Sequence, residues 1–145
     1  ETDTWQEIAL SEVTALYPST NPGMLQSVLN PIDGYIYSLD TQGLTMLVFD
    51  PKIDKPVKRI NNSNFVAGNA YLGNFNVASN GIMYAMPFNG KVLRFDPATD
   101  KMTFIGSTLV SSNTVGAKVA KDNHIYTIPY QGSTIYKFNP ATEDL

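Results

Sequence analysis

Three stretches of this chain are one stretch written three times, and such a chain folds as stacked copies of one supersecondary unit that bury their apolar faces against each other. Asp33-Gly34-Tyr35-Ile36-Tyr37-Ser38-Leu39 sets above Asn80-Gly81-Ile82-Met83-Tyr84-Ala85-Met86 and Asp122-Asn123-His124-Ile125-Tyr126-Thr127-Ile128, with the turn, the apolar run and the Tyr in register. A second marker follows each: Met46-Leu47-Val48-Phe49-Asp50-Pro51, Val92-Leu93-Arg94-Phe95-Asp96-Pro97 and Ile135-Tyr136-Lys137-Phe138-Asn139-Pro140. Gly34, Gly81 and Asn123 stand 47 and 42 residues apart, and Asp50, Asp96 and Asn139 stand 46 and 43 apart. Those intervals fall within the roughly 40 to 50 residues of a four-stranded β-propeller blade.

Each repeat reads as four strands, a to d. Strand a covers residues 25–29, 72–78 and 117–120, and a tight turn follows at Asp33-Gly34, Asn80-Gly81 or Asp122-Asn123. These residue types tolerate positive φ and predict a two-residue type I′ hairpin. Strand b is the segment carrying Tyr37, Tyr84 or Tyr126, and strand c ends at Phe49, Phe95 or Phe138. Both are nearly continuous apolar runs, which predicts burial on both faces between neighbouring blades. Asp50-Pro51, Asp96-Pro97 and Asn139-Pro140 place Asp or Asn before Pro, the pattern of a type I turn held by a side-chain-to-backbone hydrogen bond. Strand d follows at residues 57–60 and 102–105 as the more polar outer edge. The expected fold class is therefore all-β: a propeller unit over 1–145, with three four-stranded blades in d-a-b-c order and repeats of about 1–52, 53–97 and 98–145.

Composition narrows the function classes. The 145 residues are 43% hydrophobic, enough for a packed core, and carry ten Lys plus Arg against thirteen Asp plus Glu. With no basic run there is no electrostatic footprint for nucleic acid. No apolar run is long enough for a membrane-spanning helix. With no Cys, neither a disulfide framework nor a thiolate zinc site is available.

Residues 2–9, Thr2-Asp3-Thr4-Trp5-Gln6-Glu7-Ile8-Ala9, align with residues 99–106, so the chain is expected to open with a strand d. Its last residues reach the turn that precedes the next strand d. Propellers run from four to eight blades, and a three-blade wedge leaves apolar faces and strand edges uncovered. The expected partners are accordingly a second copy, giving a six-bladed homodimer with the Trp5 strand exchanged, or the remaining blades of a longer chain. A truncated or engineered repeat unit is a further reading of the same cut points.

The pattern Gly/Asn-x-Ile-Tyr-x-x-Pro-x-x-Gly followed by Val/Ile-x-x-Phe-Asp/Asn-Pro-Ala-Thr, carried by residues 81–99 and 123–142 and more loosely by 34–52, resembles kelch, NHL and virginiamycin-B-lyase-like propeller blades. The kelch double Gly and the Gly-His and Trp-Asp pairs of WD repeats are absent. The resemblance implies the fold, points toward secreted, cell-surface or virion proteins, and leaves function open, because propellers host lyases, oxidases, lectins and scaffolds.

His124 is the single histidine, at a position filled by Tyr35 and Ile82 in the other repeats, and is read as structural. A lyase site of the virginiamycin-lyase kind is expected to need His, Glu and a divalent metal. Asp33, Asp50, Asp96, Asp100 and Asp122 fall at turns rather than converging. No catalytic residues, metal ligands or cofactor are assigned. Candidate ligand contacts lie on the rim where the b-to-c and d-to-a loops emerge: Gln42, Phe88-Asn89, Tyr130-Gln131, Asn69 and Asn113, with Asn64 nearby. An aromatic followed by an amide, twice at one repeat position, offers a stacking face beside a hydrogen-bonding fork, as a sugar or peptide requires. The alternative is that these aromatics pack on neighbouring loops and the amides cap turns. Asn61-Asn62-Ser63 is a formal glycosylation sequon. The leading expectation is a non-catalytic binding or assembly module, and the second a propeller enzyme whose site residues come from other blades or another chain.

Overall fold

The computed structural model describes residues 24–40, 45–64, 75–87, 90–106, 114–130 and 133–144. These form three antiparallel sheets and no helix. The first holds β1 (Met24–Leu29), β2 (Ile36–Asp40), β3 (Thr45–Asp50) and β4 (Lys55–Asn61), hydrogen-bonded in that order. The second repeats the order with β5 (Phe75–Val77), β6 (Met83–Ala85), β7 (Val92–Asp96) and β8 (Lys101–Ile105). The third contains β9 (Thr114–Val119), β10 (Ile125–Pro129) and β11 (Tyr136–Phe138), ordered β11-β10-β9. Each sheet is an up-and-down blade with strand a first. The sequence repeats are cut at the c-to-d turn, so a sheet takes its strand d from the repeat that follows.

Register equates the blades residue by residue. Ile36 pairs with Phe49, Met83 with Phe95 and Ile125 with Phe138, so Tyr37, Tyr84 and Tyr126 occupy one position and Val48, Arg94 and Lys137 another. Strands a meet at the centre, β1 against β5 and β5 against β9. Between blades 1 and 2 the core is built from Tyr37, Leu39, Met46 and Val48 against Met83, Ala85, Leu93 and Phe95. Between blades 2 and 3, Tyr84, Met86 and Val92 meet Ala117, Ile125 and Phe138. Tyr37 tilts against Phe95 at 5.6 Å between ring centroids and Tyr84 against Phe138 at 5.1 Å, so each strand-b Tyr is covered by the next blade's strand-c Phe.

Two expectations are corrected. The a-to-b connections are not two-residue type I′ turns. Ala78 N–H bonds the Ile82 carbonyl and Gly81 N–H the Ala78 carbonyl, and Ala120, Asn123 and His124 do the same. These are three-residue loops in which a single residue, Gly81 or Asn123, takes positive φ. The first blade adds a residue: Asn30 N–H bonds the Tyr35 carbonyl around Pro31 to Gly34. Two-sided burial of strands b and c holds for the middle blade, where β6 is wholly buried. It fails for β10, which alternates and leaves Ile128 exposed, because among the described residues no blade covers that side.

Candidate functional site

Of the acidic residues that could suggest a metal set, Asp33, Asp50, Asp96 and Asp122 are occupied as turn caps and Asp100 pairs with Lys58. Oδ1 of Asp33, Asn80 and Asp122 accepts the backbone N–H two residues on, from Tyr35, Ile82 and His124, at 2.9 to 3.1 Å. Oδ1 of Asp50, Asp96 and Asn139 does the same for Lys52, Ala98 and Ala141 at 2.9 to 3.0 Å. Each c-to-d loop then closes through a left-handed residue, Asp54, Asp100 or Glu143, with φ of 53°, 55° and 59°. His124 is held within its own turn, with Nδ1 3.2 Å from Asp122 Oδ2. No group of three His, Asp or Glu able to hold a metal occurs among the described residues.

The blade junctions are where side-chain chemistry gathers. On the rim of the a-to-b and c-to-d turns, Tyr84 shares its hydroxyl proton between the Pro140 carbonyl at 3.2 Å and Glu143 Oε1 at 3.3 Å, while Arg94 Nε donates to Glu143 Oε1 at 2.9 Å. Burial, with the Glu143 carboxylate beside it, pushes the Tyr84 phenol up to about 12. At the preceding junction Tyr37 donates instead to Asp33 of its own blade at 2.7 Å, and burial raises its phenol further. Asp100, the counterpart of Glu143, pairs across the blades with Lys58. Because Val48 stands where Arg94 stands in the next blade, this junction is left open. A cavity of about 390 Å³ remains, lined by Asp33, Tyr35, Tyr37, Val48, Lys58 and Asp100 among others. In blade 3, Tyr126 donates to Asp122 at 2.8 Å, and that bond, followed by the His124 backbone N–H, holds the Asp122 carboxyl below the usual carboxylate range. Lys137 lies 5.6 Å over the Tyr126 ring and 3.8 Å from Asp122.

On the opposite rim, Tyr130 directly follows β10 and is 67% exposed. Gln42, Asn69, Phe88, Asn89, Asn113 and Gln131 lie outside the described residues, as does the Trp5 strand. Nearby, Asn64 braces its loop: its Nδ2 donates to the Met102 carbonyl of blade 2 at 2.8 Å, and its backbone N–H is taken by Asn62 Oδ1. Thr114 Oγ1 donates to the Pro87 carbonyl at 2.5 Å and Thr45 N–H to Asp40 Oδ2 at 2.8 Å, so buried polar groups brace this rim from below. Asn61 of the sequon is exposed at the end of β4. Sequence reasoning missed the junction clusters, although a signal existed: Val48, Arg94 and Lys137 differ in charge at one repeat position.

The same arrangement of sheets occurs in solved propellers. A catalytically inactive virginiamycin B lyase from Staphylococcus aureus with quinupristin matches with a TM-score of 0.67 at 14% identity, over 86% of this chain and 40% of that one. The selenomethionine-substituted lyase matches with a TM-score of 0.62 at 14% identity, over 79% and 37%. The WD40 repeats of RRP9 match with a TM-score of 0.59 at 12% identity, over 86% and 38%. The chain is an all-β propeller repeat unit. It spans about two fifths of the length of the propellers it matches. No family model matches the sequence, and no curated protein matches it. At these identities the likeness is one of fold, shared by a lyase and by WD40 repeats, and it carries no active-site residue across.

Proposed function

We propose that this chain is a propeller binding and assembly module: its blades join further blades, and the loop-bearing rim around the convergence of β1, β5 and β9 takes a ligand or partner. The observation that carries this reading is the forward face of blade 3. At one repeat position stand Leu39, Met86 and Ile128, exposed 0%, 0% and 57%, and at another Met46, Val92 and Ile135, exposed 0%, 1% and 64%. Blades 1 and 2 bury these positions under the next blade, and blade 3 presents the same chemistry uncovered. Contiguous exposed apolar surface of this kind marks an association site. Residues 2–9, on their alignment with β8 and its flanks, carry the pattern of a strand d that could complete such a blade.

Ligand contact on the loop rim is assigned to Phe88, Asn89, Tyr130, Gln131, Gln42, Asn69 and Asn113, with an oligosaccharide or peptide stacking on the aromatics. The exposure of Tyr130 supports this. The alternative of a propeller enzyme draws on fold likeness; a divalent ion bound by the protein in calorimetry would favour it.

Sedimentation velocity over a wide concentration range tests the association face. The wild-type coefficient should rise with concentration, whereas Ile128→Asp/Ile135→Asp, with wild-type circular dichroism, should sediment as one small species throughout. A wild-type chain that is monomeric at every concentration, and takes up no more anilinonaphthalene sulfonate than the variant, would defeat the reading.

A further inference from the structure

We propose that the forward face of blade 3 docks the rear face of blade 1 of a second copy, with Asp54 of one copy meeting Lys137 and Tyr126 of the other, so that two copies close one six-bladed ring. The proposal rests on the reading of the blade 3 face as an association surface and names what covers it. Both junctions inside the chain follow one rule: the acid at the left-handed position of the later blade's c-to-d turn bonds a cation on the earlier blade. Asp100 does so with Lys58, and Glu143 with Arg94 and Tyr84. Among the described residues, one acid and one cation have no such partner on another blade, Lys137 being held within its own blade by Asp122 at 3.8 Å. Asp54 holds the same left-handed backbone position, at φ 53°, in an exposed turn. Lys137 holds the register of Arg94, beside a Tyr126 that holds the register of Tyr84.

The apolar surfaces match in the same way. Blade 2 meets blade 1 through Met83, Leu93 and Phe95, and their counterparts on blade 1 are Ile36, Leu47 and Phe49, where Ile36 and Phe49 pair in the register of Met83 and Phe95. Ile36 and Phe49 are only half-buried. Set against Ile128 and Ile135, they reproduce the junction already present twice. The contact is head-to-tail, and a head-to-tail contact makes a closed ring when its rotation closes. Two copies that each contribute the three blades described give six, inside the four to eight blades of a propeller ring.

Light scattering on the wild-type chain should give twice the 15.9 kDa chain mass. Asp54→Lys and Lys137→Asp should each raise the dimer dissociation constant at least about tenfold, since each sets like charges at both junctions of a homodimer. Mixing these two variants should restore the dimer, because both junctions of the mixed pair then oppose unlike charges; circular dichroism checks that each variant is folded. A wild-type monomer overturns the proposal, and so does a stable assembly of any other mass. A dimer abolished by Ile128→Asp/Ile135→Asp but not recovered on mixing overturns this pairing while leaving the association face standing, with another partner surface on it.

Discussion

Asp and Asn recur before each turn because their short side chains accept the N–H two residues ahead, and the repeat fills that role six times. The position after the a-to-b cap takes positive φ, and the third blade fills it with Asn123 where the others use Gly. At Gly34 the space a Cβ would occupy is open, so backbone strain alone decides a substitution there. Gly34→Asn should be nearly neutral, whereas Gly34→Val should cost about 1–2 kcal/mol in urea unfolding. Equal costs would mean that the loop relaxes out of the left-handed region. Tyr84 gives a pH test. Burial pushes its phenol up to about 12 in the folded chain from an ordinary 10.0, so between those pH values the native state holds a proton that the unfolded state has released. Stability is then complete below about pH 10 and falls as pH rises toward 12. Tyr84→Phe should be less stable at pH 7 by about 1–3 kcal/mol, from the lost bonds to Pro140 and Glu143, and should show less of the alkaline decline. An identical decline in the variant would assign it elsewhere.

Among the elements, strand c carries the packing. Phe95 and Phe138 are fully buried and each meets a Tyr of the preceding blade, whereas Phe49, the same residue one blade earlier, is half-buried. Phe95→Ala and Phe138→Ala should each cost about 3–5 kcal/mol, and Phe49→Ala markedly less, in equilibrium denaturation of the separated chain. A uniform cost would show that blade 1 is covered on its rear face under those conditions. The strands, their order and the blade unit were legible because period, Tyr and Phe recur with little drift. Loop lengths were not: Asn80-Gly81 and Asp122-Asn123 read equally well as the centre of a two-residue turn or the end of a three-residue one, and only the hydrogen bonds of Ala78 and Ala120 separate them. Nor does a repeat alignment show which blade ends uncovered. Ile128 and Ile135 look like Met86 and Val92 in sequence, and their exposure follows from what stands beside them.

For the whole molecule, the two junctions differ although one repeat built both. The second is filled by Arg94, Glu143 and Tyr84, and the first keeps its cavity at Val48. An association that buries the blade 3 face must stabilise by mass action, so the thermal midpoint should rise with chain concentration in scanning calorimetry, and less so for Ile128→Asp/Ile135→Asp. A midpoint independent of concentration would place the folded chain's stability within one copy.

The turn caps also order events in time. Each cap joins residues two apart and each hairpin closes over a short loop, so hairpins form at small entropic cost and early. The bond from Tyr84 to Pro140 spans 56 residues and forms only when finished blades meet. Weakening that bond should then leave the refolding rate nearly unchanged and quicken unfolding, so the lifetime of the folded chain is set at the seams between blades rather than within them.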